Sequence, residues 1–169
     1  MGLLAWGMLI ALSILWGGSF FFSEVALRAL PPFTVVFLRV ALGAMVLWGV
    51  FLATVPRSKR AGLPWRDFLI MGLLNNAIPF SLLVWGQTQI SSSLASIINA
   101  TTPFFTVLVA HVLLADERMS RTKVLGVLAG FAGIIVLMGP GALGGGDVGL
   151  IGQLACIGAA VSYAFAATF

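Results

Sequence analysis

LLAWGMLIALSILWGGSFFFSEVAL, residues 3–27, is an apolar run of bilayer-crossing length that holds a single charge, Glu24. About 20 residues rising about 1.5 Å each cross a hydrocarbon core of about 30 Å. Five further runs follow it: Phe33 to Thr54, Phe68 to Ile90, Leu94 to Leu114, Val124 to Met138 and Gly149 to Phe169. The short connectors between them carry nearly all of the charge. With 60% apolar and 8% charged residues in a length of 169, too little polar surface remains to solvate a compact water-soluble fold. In lipid every backbone N–H and C=O must be paired within the protein. Unbroken apolar runs without period-2 alternation meet that demand as helices rather than as barrel strands. The fold class is therefore all-α, a polytopic transmembrane helical bundle.

The placement of the basic residues gives the net charge of +4 its meaning. Arg57, Lys59, Arg60 and Arg66 follow the second run, in the longest charged connector, Val55 to Arg66; Arg118, Arg121 and Lys123 follow the fourth. The connectors after the first, third and fifth runs hold only Arg28, and Arg39 lies inside the second run. Basic residues on alternate loops mark the cytoplasmic side, so the N-terminus is expected in the cytoplasm and the chain in the cell (inner or plasma) membrane. The partner this charge implies is the lipid bilayer and not nucleic acid; a specific anionic-lipid site is the lesser reading. No basic n-region and no small-residue cleavage site accompany residues 3–27, which read as a retained first span rather than a signal peptide. Cys156, the single cysteine, sits in the sixth run without a metal-ligand companion and reads as a small packing residue.

Pro31 and Pro32 end the first span in a tight outer turn. The connector Ser91-Ser92-Ser93 is short enough to make the third and fourth spans antiparallel neighbours. Gly139 to Gly149 reads as an outer linker; its Gly144-Gly145-Gly146 run follows no strand and carries no Lys, unlike a phosphate loop. Gly126, Gly130 and Gly133, at i, i+4 and i+7, clear one face of the fifth span for close approach of another helix. That neighbour is either another span of the chain, the commoner case, or a second copy in a homodimer.

The sixth run resembles the first. Shifted by 147 positions, Gly2-Leu3-Leu4 falls on Gly149-Leu150-Ile151 and Trp16 on Tyr163. A repeat of five spans makes its second copy inverted. Trp16 then lies roughly 20 Å from the inner face and Tyr163 roughly 21 Å from the outer one, mirrored depths that fit an inverted repeat. The expected organisation is a five-span repeat over 1–138, an outer linker over 139–148, and the first span of a second repeat over 149–169, the N-terminal part of a ten-span protein.

Polar residues inside the spans mark where function would reside. Asn75 precedes Pro79 by four positions, and Asn99 precedes Pro103 by four. Proline cannot donate to the carbonyl four residues earlier, so each frees the backbone oxygen of its Asn. Both prolines fall about 16 Å from the inner face, near the midplane. Broken, polar backbone at that depth is tolerated where protein or a water-filled cavity covers it, as in transporter sites. Asn76 and Thr102 stand beside the two asparagines. Trp16-Gly17-Gly18-Ser19 supplies a ring, two positions of close approach and a hydroxyl; Trp16 is either the wall of a binding site or an interhelical packing residue. Arg39 is expected to form an ion pair with Glu24, with an anionic substrate contact as the alternative. His111, the single histidine, lies near the cytoplasmic end of the fourth span, and Asp67, Asp116, Glu117 and Asp147 lie at span ends. No catalytic set, cofactor site or metal cluster is legible, which leaves an enzyme without support.

This arrangement resembles the EamA-type family of the drug/metabolite transporter superfamily. Ala95, Ser96, Pro103, Glu117, Gly126 and Gly133 carry the resemblance, together with Trp16-Gly17 and Arg39. It implies ten-span carriers built from two inverted five-span repeats, moving small metabolites such as amino acids, sugars or drugs, often outward, by alternating access. By the same resemblance the first, third, fourth and sixth spans line the cavity, which would gather Trp16, Ser19, Asn75, Asn76, Asn99, Thr102 and Tyr163. A membrane-embedded binding or assembly component without transport of its own is the alternative.

Overall fold

In the computed structural model, residues 2–56, 62–114, 120–143 and 149–169 are described. Arg57, Lys59, Arg60, Asp116, Glu117, Arg118, Gly144-Gly145-Gly146 and Asp147 fall outside them. The first span is α1 (Leu3–Leu27) and the second α2 (Pro32–Thr54), whose proline at the first helical position brings a preset φ and gives up no intrahelical bond. The third span is α3 (Trp65–Gly72), a π-helical turn (Leu73–Ala77) and α4 (Ile78–Gly86). The fourth is α5 (Ser92–Asn99) and α6 (Thr102–Leu113), started by the Ser91 hydroxyl, which accepts from the Leu94 N–H at 3.3 Å. The chain continues as α7 (Arg121–Leu143) and α8 (Leu150–Thr168). Among the described residues, five spans are long and apolar enough to cross a membrane, and α7 is a helix of 23 residues. The protein is an all-helical, multi-pass membrane bundle.

The two prolines act differently. At the third span Ile78 N–H donates to the Leu73 carbonyl, five residues back. In that register Pro79 faces the carbonyl of Leu74, not that of Asn75, and has no N–H to give it. The Ser162 hydroxyl of α8 donates to the Leu74 carbonyl instead, at 2.8 Å. The expected opening at Asn75 is thus displaced by one residue, because the π turn inserts an extra one. At the fourth span the helix stops at Asn99 and restarts at Thr102. The Asn99 carbonyl accepts from Thr102 Oγ1 at 2.6 Å, and the Ile98 carbonyl from Thr101 Oγ1 at 2.6 Å.

Helix α8 is the centre of the packing. Gly152, Ala155, Cys156, Ala159, Ala160 and Tyr163 are buried along it, against α4 on one side and α5 and α6 on the other. Its small residues let backbones come together: a Cβ on Gly152 would lie 2.7 Å from Gln89 Cβ, and one on Gly86 would lie 2.8 Å from Cys156 Sγ and 3.0 Å from the Gly152 carbonyl. The third and fourth spans, expected as direct neighbours, are bridged by α8. The short connector fixes only their ends, and the narrow Gly/Ala face of α8 fits between the rest. The core follows: Leu83 from α4, Ala95 and Ile98 from α5, and Cys156, Ala159 and Tyr163 from α8 form one cluster. Across the described residues, a Cβ on Gly126, Gly130 or Gly133 would meet nothing within 4 Å, so close approach within the chain is made at Gly86 and Gly152.

Candidate functional site

Heptad-like spacing on two helices builds the walls of a cavity. On α1, Leu12, Leu15, Trp16, Ser19, Phe20 and Ser23 share one face; on α4 and its C-cap, Phe80, Leu83, Val84 and Gln87 do. Arg39 of α2, Asn99 of α5 and Tyr163 of α8 complete a cavity of about 190 Å³. A second, more open cavity of about 670 Å³ adjoins it, sharing Trp16, Asn99 and Tyr163 and adding Ala100, Thr102, Pro103, Thr106 and Val107. The helix break between α5 and α6 therefore lies on the wall of a cavity at membrane depth.

Four of the polar side chains here are paired within the chain: those of Ser23, Gln87, Thr102 and Thr106. Gln87 Nε2 donates to the Phe20 carbonyl at 3.0 Å, tying α4 to α1, and Ser23 Oγ donates to the Ser19 carbonyl at 2.8 Å. Thr106 Oγ1 donates to the Thr102 carbonyl at 2.9 Å. Asn99 is different: it is 6% exposed, and its Oδ1 has no hydrogen-bond partner among the described residues. A buried acceptor left unpaired costs about 1–3 kcal/mol, a cost that a donor arriving at Asn99 would remove.

Arg39 departs from its expected pairing. Among the described residues no ion pair joins it to Glu24; its guanidinium lies over the Phe80 ring, 4.2 Å from the centroid. Phe80 in turn meets Tyr163 edge to face at 6.4 Å between centroids. The electron-rich face of the ring attracts the cation where the carboxylate was expected.

Of the residues singled out from the sequence, Trp16, Ser19, Asn99, Tyr163 and Arg39 meet at the first cavity, and Trp16, Asn99, Thr102, Pro103 and Tyr163 at the second. Asn75 and Asn76 lie on the π turn, exposed and half-buried respectively, and line neither cavity. The first cavity begins on α4 at Phe80, past that turn. Pro79 is fully buried. Gln87, Ser23, Phe80 and Ser162 were not singled out. For Gln87 the signal was its place seven residues after Phe80 on the same face. Ser162 had only its position next to Tyr163.

Residues 3–139 match the EamA-like transporter family. The chain belongs to that family. It is 30% identical to the "Uncharacterized transporter YvbV" of Bacillus subtilis over 96% of this chain and 52% of that protein. It is 26% identical to the "Uncharacterized transporter YoaV" of the same organism over 95% of this chain and 55% of that protein. The "Uncharacterized inner membrane transporter YedA" of Escherichia coli K12 is 29% identical over 96% of this chain and 52% of that protein. The chain spans about half the length of the curated relatives it matches. No solved structure matches it significantly. Family and relatives point to a membrane transporter rather than an enzyme.

Proposed function

We propose that this EamA-like chain forms part of a secondary transporter of the cell (inner or plasma) membrane, with its N-terminus in the cytoplasm. The transporter carries a small metabolite such as an amino acid or a drug, outward or in exchange, by alternating access. One observation carries the reading: a broken helix at membrane depth presents a buried Asn99 oxygen, unpartnered among the described residues, on the wall of a cavity lined by Trp16 and Tyr163. A bundle built only to span lipid gains nothing from that arrangement, because an unpaired buried acceptor lowers its stability. A substrate N–H or O–H directed at Asn99 turns the defect into a contact, and the apolar walls hold the rest of the molecule. α1 and α8, which the 147-residue offset pairs, both line this space, through Trp16 and Tyr163. The rocking of one repeat against the other would open it alternately to each side.

The test is efflux from cells expressing the protein and loaded with labelled amino acids and drug-like compounds. Asn99→Leu is nearly isosteric and removes the acceptor. It should abolish flux of the transported compound while membrane insertion is kept. Flux at the wild-type rate in Asn99→Leu would remove Asn99 from the site.

A further inference from the structure

We propose that the cavity selects organic anions, with Arg39 as the anion contact and the aromatic walls as the seat of an apolar body; this rests on the cavity being the transport site. The guanidinium is the one charged group on the wall of the first cavity. Among the described residues no carboxylate pairs with it, and it is exposed. What holds it is a single ring, Phe80, at 4.2 Å. A ring face attracts a cation through its quadrupole and leaves the charge uncompensated. A guanidinium has a planar fork of N–H donors along its edge, so it stacks on an aromatic face and still presents two parallel donors to a carboxylate. The contact with Phe80 therefore orients Arg39 without consuming its anion-binding edge.

The surroundings specify the rest of the ligand. Trp16, Phe20 and Tyr163 stand around the same space with Leu83 and Val84, so an apolar or aromatic body of modest size fits beside the bound anion. Tyr163 edges onto Phe80 at 6.4 Å, which keeps that ring from swinging away from Arg39. The chemistry named by these groups is a monocarboxylate on a compact apolar body. An inorganic anion would leave the aromatic walls unused, and an organic cation would meet the like charge of Arg39.

Phenylacetate and its neutral isostere phenylacetamide provide matched probes. Binding of each to the full chain in lipid nanodiscs is measured by titration calorimetry, for the wild type, Arg39→Gln, Arg39→Lys and Phe80→Leu. The expected result is a preference for phenylacetate of about tenfold or more, as for loss of one charge-assisted contact. Arg39→Gln should erase that preference, weakening the acid by about tenfold more than the amide. Arg39→Lys should retain part of it, and Phe80→Leu should weaken the acid more than the amide. Equal affinities in the wild type, or a preference surviving in Arg39→Gln, would overturn the anion assignment and leave the cavity as a binding site. Absence of binding of both probes to the wild type would overturn the assignment together with the reading of the cavity itself.

Discussion

Replacing Ser162 by Ala removes the hydroxyl that donates to the Leu74 carbonyl, the one that Pro79 faces without an N–H. The bond runs from Ser162 Oγ to the Leu74 carbonyl at 2.8 Å, and Ser162 is 7% exposed. Interhelical hydrogen bonds in membranes contribute about 0.6 kcal/mol on average and up to about 1.7 kcal/mol, the average being low because lost partners are often replaced. Here replacement is blocked: proline has no N–H, and no water is at hand in lipid. Ser162→Ala should therefore cost about 1.5 kcal/mol, near the top of that range. Pro79→Ala supplies an N–H at the position that the π register pairs with Leu74. In that background the same Ser162→Ala change should cost under about 0.5 kcal/mol, giving a coupling of about 1 kcal/mol in a double-mutant cycle. The assay is reversible unfolding of all four proteins in mixed lipid–detergent bicelles. A Ser162→Ala cost that is the same with and without Pro79 would refute the reasoning, because the hydroxyl would then serve something other than the carbonyl Pro79 leaves open.

Gly152→Ala places a methyl 2.7 Å from Gln89 Cβ and 3.1 Å from the Gly86 carbonyl; forcing α4 from α8 should lower stability by about 1–3 kcal/mol, read in the same unfolding assay. Gly130→Ala meets nothing within 4 Å and should be neutral or stabilising by up to about 1 kcal/mol, through helix propensity alone. Gln87→Leu removes the donor to the Phe20 carbonyl, so α1 should loosen from α4. A spin-label pair on the two helices should then show a broadened distance distribution, and an unchanged one would mean that apolar packing alone holds α1.

Among the described residues, five of the six expected spans are helices long and apolar enough to cross a membrane; they were legible because length and hydropathy are properties of each segment by itself. α1 occupies residues 3–27 as read, and α2 and α8 differ from their expected bounds by a residue at one or both ends. The break in the fourth span was legible for a similar reason, since Pro103 imposes it locally. The π turn was not: an extra residue in a helix leaves no composition signal, and it moved the opened carbonyl from Asn75 to Leu74. Packing order was hidden as well. Glycine or alanine occurs in every span, so spacing alone drew attention to Gly126, Gly130 and Gly133, whereas Gly86 and Gly152 make the close crossing. For Arg39 the search for an opposite charge led to Glu24 and passed over Phe80, because a cation–π contact needs only an aromatic ring and this chain has many.

The most direct measurement asks whether water reaches the cavity at membrane depth. In a Cys156→Ala background, Trp16→Cys, Ser19→Cys and Val46→Cys variants are expressed in cells and treated with a small water-soluble maleimide. Thiols react as thiolates, which form in water and not in lipid. Val46 is exposed on α2 and lines neither cavity, whereas Trp16 and Ser19 line the first. An aqueous transport cavity predicts labelling of Trp16→Cys and Ser19→Cys at least about tenfold faster than Val46→Cys. Equal, slow labelling of all three would contradict it and leave α1, α4, α5 and α8 enclosing a dry packing defect.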